Sequence, residues 1–162
     1  MTGLTLDTMK LDEHFDFTYL SLGAGVQSSA LLVLACTDDR VPKPDVAIFS
    51  DTGDEPQYVM DYLQMLKDYA EPFGINIVIA QKGVLSEDAL GRDKFVPIPL
   101  FTLHKDGSKG VLRRQCTREY KITPINKKVR EILGYKPRYR VKHKVRAMLG
   151  ISTDEMQRMK ES

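Results

Sequence analysis

The chain has 162 residues, of which 42% are hydrophobic and 28% are charged, as expected for one globular domain with a hydrophobic core. The longest apolar run, residues 30–36, is too short to span a bilayer, and the polar, acidic N-terminus excludes a signal or transit peptide. Two cysteines, Cys36 and Cys116, exclude a disulfide framework and favour a reducing cytoplasm. We therefore expect a single cytoplasmic domain over residues 1–162, with residues 1–15 as a lead-in.

The first half of the chain predicts alternating strands and helices. An apolar helix is predicted over residues 28–36. A second, amphipathic helix is predicted after Asp54, because Asp54 and Gln57 have the spacing of a capping box. Strands apolar on both faces, typical of a parallel sheet, are predicted at Phe17–Leu22, residues 45–50 and residues 75–80. This order indicates a right-handed βαβαβ unit.

The second half is less regular. Residues 81–114 interrupt the alternation, with a short helix predicted at Leu85–Leu90, and we expect them to form an insertion or lid over the active edge of the sheet. Thr123 is predicted to cap a helix that ends before Gly134. Residues 145–151 are predicted to form a fourth strand, followed by a short helix.

Charge is distributed unevenly along the chain. Residues 1–80 carry a net charge of −9 and residues 81–162 a net charge of +11. Most of the basic excess lies in residues 104–146, which hold 15 Lys and Arg against three acidic residues. Such a block indicates a polyanionic partner such as tRNA or DNA, or else a solvated basic face.

A turn containing two glycines follows the first strand. Residues 23–28 read G-A-G-V-Q-S, and Gly23 and Gly25 are expected to take positive φ and to let the backbone approach a ligand closely. The free N–H groups and the dipole of the following helix attract anions, so the run predicts a phosphate site. The alternative is an ordinary turn between strand and helix, because the run matches neither G-x-x-x-x-G-K-[ST] nor G-x-G-x-x-G.

Two further runs contain polar or charged side chains of the kinds that bind ligands. Asp51, Thr52 and Gly53 follow the second strand, where a carboxylate can bind a ribose or a metal-bound water, unless the run is only a turn. Residues 113–118 read R-R-Q-C-T-R. These cations would bind phosphate or sulfate and lower the pKa of Cys116, unless the run is a basic surface loop with an incidental cysteine.

These runs resemble a known family. Residues 23–28 look like the S-G-G-x-D-S loop of the PP-loop ATP pyrophosphatases, adenine nucleotide α-hydrolase-like proteins that include phosphoadenosine phosphosulfate (PAPS) reductase. Gly23 replaces the usual serine and Gln27 the usual aspartate. The D-T-G run at residues 51–53 and the C-x-x-x-x-K-x-x-P run at residues 116–124 are similar to elements of PAPS reductase-like proteins.

Two other runs resemble PAPS reductase-like proteins of bacteria and phages. They are R-Q-C-T-R at residues 114–118 and G-I-S-x-D-E-x-x-R-M at residues 150–159, although the second is also typical of an ordinary strand-to-helix connection. The resemblance spans about residues 17–159. It implies a Rossmann-like, three-layer α/β/α fold of the PP-loop (HUP) type, with a mostly parallel sheet of four or five strands in the order 3-2-1-4.

The resemblance also implies an adenine nucleotide, ATP or PAPS, at the carboxyl edge of the sheet. The nucleotide-binding residues that it implies are Ser21, Gly23, Ala24, Gly25, Gln27, Ser28, Ser29, Asp51, Thr52 and Gly53. The catalytic residues that it implies are Arg114, Cys116, Arg118 and Lys121.

The activity implied first is that of a transferase. It would cleave ATP at the α-phosphate to AMP and pyrophosphate, with arginine and Mg²⁺ stabilising the charge, and so activate a substrate for sulfur or nitrogen transfer. One alternative is an oxidoreductase that reduces PAPS or adenylyl sulfate. Another is an inactive module that binds a nucleotide or a nucleic acid, the latter on the basic face of residues 104–146.

Several expectations concern what the chain contains and what it associates with. Two cysteines cannot supply the four thiolates of an iron–sulfur cluster. The PAPS reductase-like proteins that the chain resembles generally continue past this point with further cysteines, so the resemblance implies that the chain is a short form or lacks a C-terminal part. We expect no association with a membrane. The sequence leaves open whether the chain forms a homo-oligomer.

Overall fold

A computed structural model describes residues 14–91, 101–111 and 117–158. The strands in this part of the chain are β1 (Phe17–Leu22), β2 (Val46–Asp51), β3 (Asn76–Gln81), β4 (Phe101–Leu103), β5 (Lys109–Val111) and β6 (Val145–Leu149). The helices are α1 (Val26–Thr37), α2 (Gln57–Ala70), α3 (Leu85–Leu90) and α4 (Thr123–Ile132). A π-helical turn, Thr117–Ile122, leads into α4, and a 3₁₀ turn, Thr153–Arg158, follows β6.

Four parallel strands form the main sheet in the order β3-β2-β1-β6. Tyr19 of β1 pairs with Val46 of β2 on one side and with Ala147 of β6 on the other. The prediction of an α/β fold with a parallel sheet is confirmed, and the strand order is 3-2-1-4 with β6 as the fourth strand. β4 and β5 form a separate antiparallel hairpin, which the sequence did not predict.

Helices cover both faces of this sheet. Side chains that alternate along the inner strands enter two different cores, as expected for strands that are apolar on both faces. The core on the side of α1 and α2 contains Leu20, Leu22, Ala47, Phe49, Leu32, Leu63 and Leu66. The core on the side of α4 contains Phe17, Val46, Ile48, Ala80, Ile125 and Val129. The described part of the chain therefore has three layers.

Several element ends differ from the prediction. α1 begins at Val26, two residues early, because Gly25 already stands at the N-cap with extended backbone. Thr123 does not cap α4, since the residue before it, Ile122, is itself helical at the end of the π-helical turn. Gly134 follows α4 with a φ of +74°, as predicted for a helix end.

Asp54 caps α3 rather than α2. Its two carboxylate oxygens accept hydrogen bonds from the backbone N–H and the hydroxyl of Ser86, each at 2.6 Å. The side chain of Gln57 donates instead to Asp61, within α2. The capping box was wrong because the carboxylate of Asp54 reaches an element that is distant in the sequence. α3 itself forms at Leu85–Leu90, as predicted.

Among the helices of the described ranges, none combines the length and the apolar character that crossing a membrane requires.

Candidate functional site

The order of the strands reverses beside β1. From β1 the chain proceeds through β2 to β3 with α1 and α2 on one face, whereas β6 lies on the other side of β1 and is reached through α4 on the opposite face. Ligands of open α/β sheets bind beyond the carboxyl ends of the strands at such a reversal point. The turns after β1 and β6 flank this point, so the predicted phosphate loop lies where a ligand is expected.

The shape of the turn after β1 comes from Ala24. This residue has a φ of +50°, whereas Gly25 has a φ of −90°, and Gly23 is not among the described glycines of positive φ. The prediction that Gly23 and Gly25 take positive φ was therefore wrong. One left-handed residue is enough to redirect the chain from β1 into α1. Non-glycine residues in this region cost about 1–2 kcal/mol and are concentrated at functional sites.

The side chain of Ser28 bridges two backbone groups of this turn. Its hydroxyl oxygen accepts a hydrogen bond from the N–H of Gly23 at 3.2 Å and donates one to the carbonyl of Gly25 at 3.2 Å. Ser28 is buried. Its hydroxyl therefore holds the loop in shape, and a contact between Ser28 and a nucleotide stays a prediction.

Backbone N–H groups are unsatisfied at the start of α1. The N–H groups of residues 24–28 have no hydrogen-bond acceptor in the part of the chain that the structure describes, and Ser29 is the first to donate, to the carbonyl of Gly25 at 3.0 Å. The hydroxyl of Ser29 is also buried without a partner there. The first turn of α1 contains no acidic residue. Unsatisfied N–H groups at the positive end of a helix dipole attract anions.

The backbone at Gly25 is open to an approaching ligand. A Cβ placed on Gly25 would meet no atom within 4 Å. Its extended conformation, with a φ of −90° and a ψ of 167°, suits any residue. Packing within the described chain therefore gives no reason for glycine at this position, whereas contact with a ligand would give one.

The turn after β6 lies directly against the start of α1. A Cβ on Gly150 would lie 2.6 Å from the carbonyl carbon of Gln27 and from the nitrogen of Ser28. The side-chain amide of Gln27 donates to Ser152 at 2.8 Å and to Glu155 at 3.0 Å. An aspartate at this position could not donate these bonds and would bring a second negative charge to Glu155. Gln27 therefore bridges two turns.

The run from Asp51 to Gly53 lies at the end of β2. Asp51 accepts a hydrogen bond from the N–H of Gly53 at 2.7 Å, and its other carboxylate oxygen has no partner among the described residues. Gly53 has a φ of +80°, and a Cβ there would lie 2.8 Å from the Cα of Val84. Thr52 donates its hydroxyl to Glu55 at 3.0 Å. Gly53 and Thr52 thus have structural roles, and Asp51 retains an oxygen that could bind a ribose hydroxyl.

The π-helical turn is held against the same edge of the sheet by Tyr120. Ser50, near the end of β2, donates a buried hydrogen bond to the carbonyl of Tyr120 at 2.6 Å. The ring of Tyr120 is buried, its hydroxyl donates to Asp88 of α3, and Lys82 lies 4.7 Å from the ring centroid. Burial, and then the bond to Asp88, raise the pKa of Tyr120 to about 12. The predicted catalytic segment is thereby fixed to β2 and α3.

Two of the four predicted catalytic residues belong to this turn. Arg118 and Lys121 are exposed, and neither pairs with a carboxylate within the described ranges. Arg114 and Cys116 lie outside the described residues. Of the remaining predicted residues, Ser21 is half-buried in β1 and pairs with Leu149 of β6.

Sequence reasoning missed the contact between the turns after β1 and β6. The partners of Gln27, Ser152 and Glu155, are more than a hundred positions away in the chain, and no local pattern links them. Gly150, which follows β6, and Ser152 are the only local signals, and both residue types are also typical of an ordinary turn.

No protein-family model matches this chain, and no curated protein matches it.

Proposed function

We propose that the chain binds an adenine nucleotide and is an enzyme of the PAPS reductase-like, PP-loop type that cleaves ATP at the α-phosphate. The observation that carries this proposal is the set of unsatisfied N–H groups of residues 24–28. They lie at the start of α1, where the strand order reverses. A phosphate bound there would supply the acceptors that these groups lack.

The residues around the loop favour a nucleotide over a small free anion as the ligand. The open side of Gly25 would admit a phosphate to the backbone, and the unpaired oxygen of Asp51, one strand away, would accept a ribose hydroxyl. Arg118 and Lys121 are held at the end of β2 through Tyr120. They would bind the distal phosphates or the second substrate.

The proposed reaction begins with attack by an oxygen of the substrate on the α-phosphorus of ATP. The new P–O bond gives an adenylate, and the bond between the α-phosphorus and the bridging oxygen breaks, so that pyrophosphate leaves with its electron pair. Arg114, Arg118 and Lys121 would neutralise the charge that develops. Mg²⁺ bound by the phosphates would supply further charge stabilisation. Sulfur or nitrogen would then displace AMP, with Cys116 as a candidate sulfur carrier.

This activity is tested by identifying the products that the protein forms from ATP. The protein should convert ATP labelled at the α-phosphate into labelled AMP, with an equal amount of pyrophosphate. The reaction is to be followed by thin-layer chromatography with candidate acceptors present. Labelled ADP, with inorganic phosphate, would overturn the proposal. Sulfite release from PAPS in the presence of thioredoxin would instead select the reductase.

One observation favours a second candidate, a binding module without turnover. Gln27 occupies the position of the family's aspartate and is bonded to Ser152 and Glu155. If catalysis needs a carboxylate at this position, the chain would bind a nucleotide and leave it intact. Calorimetry that shows stoichiometric ATP binding, with no AMP formed over the same period, would select this candidate.

A further inference from the structure

From Lys136, after α4, to Arg146, in β6, the chain has a basic residue at every second position. These residues are Lys136, Arg138, Arg140, Lys142, Lys144 and Arg146. No acidic residue interrupts the series. We refer to residues 135–144 as the basic loop.

Four of these cations are available to a partner. Lys136, Arg138, Arg140 and Lys142 are exposed, and no carboxylate pairs with them within the residues that the structure describes. Tyr139, between two of them, is 65% exposed. An aromatic ring between two arginines combines charge with a flat surface for stacking.

Two carboxylates near the amino ends of β1 and β2 are bonded to the backbone. Asp16 accepts a hydrogen bond from the N–H of Lys144 at 2.6 Å, and Asp45 accepts one from the N–H of Thr18 at 2.6 Å. The side chains of Lys144 and Arg146 lie over the ring of Phe15. These two cations therefore help to anchor the base of the loop.

Hydrogen bonds fix the shape of the basic loop. The hydroxyl of Tyr135 accepts the N–H of Lys142 at 2.9 Å and bonds to the ring of His143 at 2.7 Å, so that the loop is closed across its base. Arg130 of α4 donates to the carbonyls of Lys136, at 3.1 Å, and Tyr139. A loop that is already ordered loses less conformational entropy when it binds a partner.

We propose that the basic loop is a binding site for single-stranded nucleic acid. The alternating cations match a chain of phosphates, and an exposed tyrosine between arginines provides a stacking platform for an unpaired base. A duplex would offer the same phosphates but no free base face on which the ring of Tyr139 could stack.

This surface is separate from the candidate nucleotide site. Val145, where the loop enters β6, pairs with Phe17 at the beginning of β1, so the basic loop lies at the amino edge of the sheet. The glycine turn lies at the carboxyl edge, about 16 Å away along a five-residue strand. Binding at the loop should therefore be independent of ATP, and its test does not depend on the proposed activity.

Fluorescence anisotropy with a labelled 20-nucleotide single strand tests the site. The double variant Arg140→Glu with Lys142→Glu should lose at least about tenfold in affinity. Arg140→Gln with Lys142→Gln should lose less and should reduce the magnitude of the slope of log affinity against log salt by about 1.4, since each phosphate contact on a single strand contributes about 0.7. Tyr139→Ala should lose about fivefold to tenfold with an unchanged salt slope, because it removes stacking alone.

The control removes two cations from the β4–β5 hairpin, which belongs to the same basic half of the chain. Lys105→Glu with Lys109→Glu should stay within about twofold of the original affinity, and saturating ATP should change none of the values. The proposal is overturned if this control loses as much as the loop variant. It is equally overturned if a blunt duplex or phosphatidylserine vesicles bind as tightly as the single strand, or if Tyr139→Ala has no effect.

Discussion

Replacing Gly150 with alanine should lower the free energy of unfolding by about 3 kcal/mol and should abolish nucleotide binding. The new methyl group would lie 2.6 Å from backbone atoms of Gln27 and Ser28, and backbone cannot rotate away as a side chain can. The first turn of α1 and the turn after β6 must therefore separate. Urea denaturation measures the stability, and calorimetry with a non-hydrolysable ATP analogue measures the binding.

Gly25→Ala is the matched control for this prediction. The same methyl group would meet no atom within 4 Å, on a backbone that alanine tolerates. We expect a free energy of unfolding within about 1 kcal/mol of the original, but at least tenfold weaker nucleotide binding, because the methyl would occupy the space proposed for phosphate. Equal stability losses in the Gly150 and Gly25 variants would contradict the described contact between the two turns.

Replacing Gly53 with alanine should cost about 3 kcal/mol of stability for two separate reasons. The residue has a φ of +80°, which is unfavourable for alanine, and the new Cβ would lie 2.8 Å from the Cα of Val84. The turn after β2 and the segment after β3 would be pushed apart. Chemical denaturation gives the loss in stability.

Gly107→Ala separates the two contributions. Gly107 has a φ of +82°, but a Cβ there would meet no atom within 4 Å. This variant should lose only the conformational part, about 1 kcal/mol. If Gly53→Ala costs no more than Gly107→Ala, the close packing of Gly53 on Val84 is wrong.

The elements that the sequence predicted well are those whose signals are local. The strand Phe17–Leu22 and the helix Leu85–Leu90 form at the predicted positions. The strand is indicated by an apolar run and the helix by a short helical pattern, and each pattern lies within the element that it predicts. The sheet is parallel with helices on both faces, as the doubly apolar strands indicated. The β4–β5 hairpin was missed since its strands have only three residues each.

The predictions that failed depend on tertiary contacts or on backbone angles. The carboxylate of Asp54 could bond to Gln57 by spacing, but it bonds to Ser86, which only the fold brings near. Thr123 has a cap-forming side chain, but the preceding turn is already helical. Glycine is the residue favoured for positive φ, and Ala24 takes that conformation between two glycines.

The place of the predicted phosphate loop in the fold agrees with the sequence, whereas several of its contacts do not follow from it. Residues 23–28 do lie at the carboxyl edge of the sheet, where the strand order reverses. The side chains of Ser28 and Gln27 and the close packing of Gly53 hold turns together, and the contacts of these residues with a nucleotide stay predictions. Arg114 and Cys116 lie outside the described residues, and their roles stay predictions.

Nucleotide binding at the start of α1 is tested most directly by titrating ¹⁵N-labelled protein with a non-hydrolysable ATP analogue and recording ¹H–¹⁵N correlation spectra. We expect the largest amide shifts at residues 24–28, because a phosphate would accept hydrogen bonds from these N–H groups, and we expect the amides of the basic loop to stay unchanged. Saturable shifts elsewhere with residues 24–28 unmoved, or no shifts at millimolar nucleotide, would contradict this expectation.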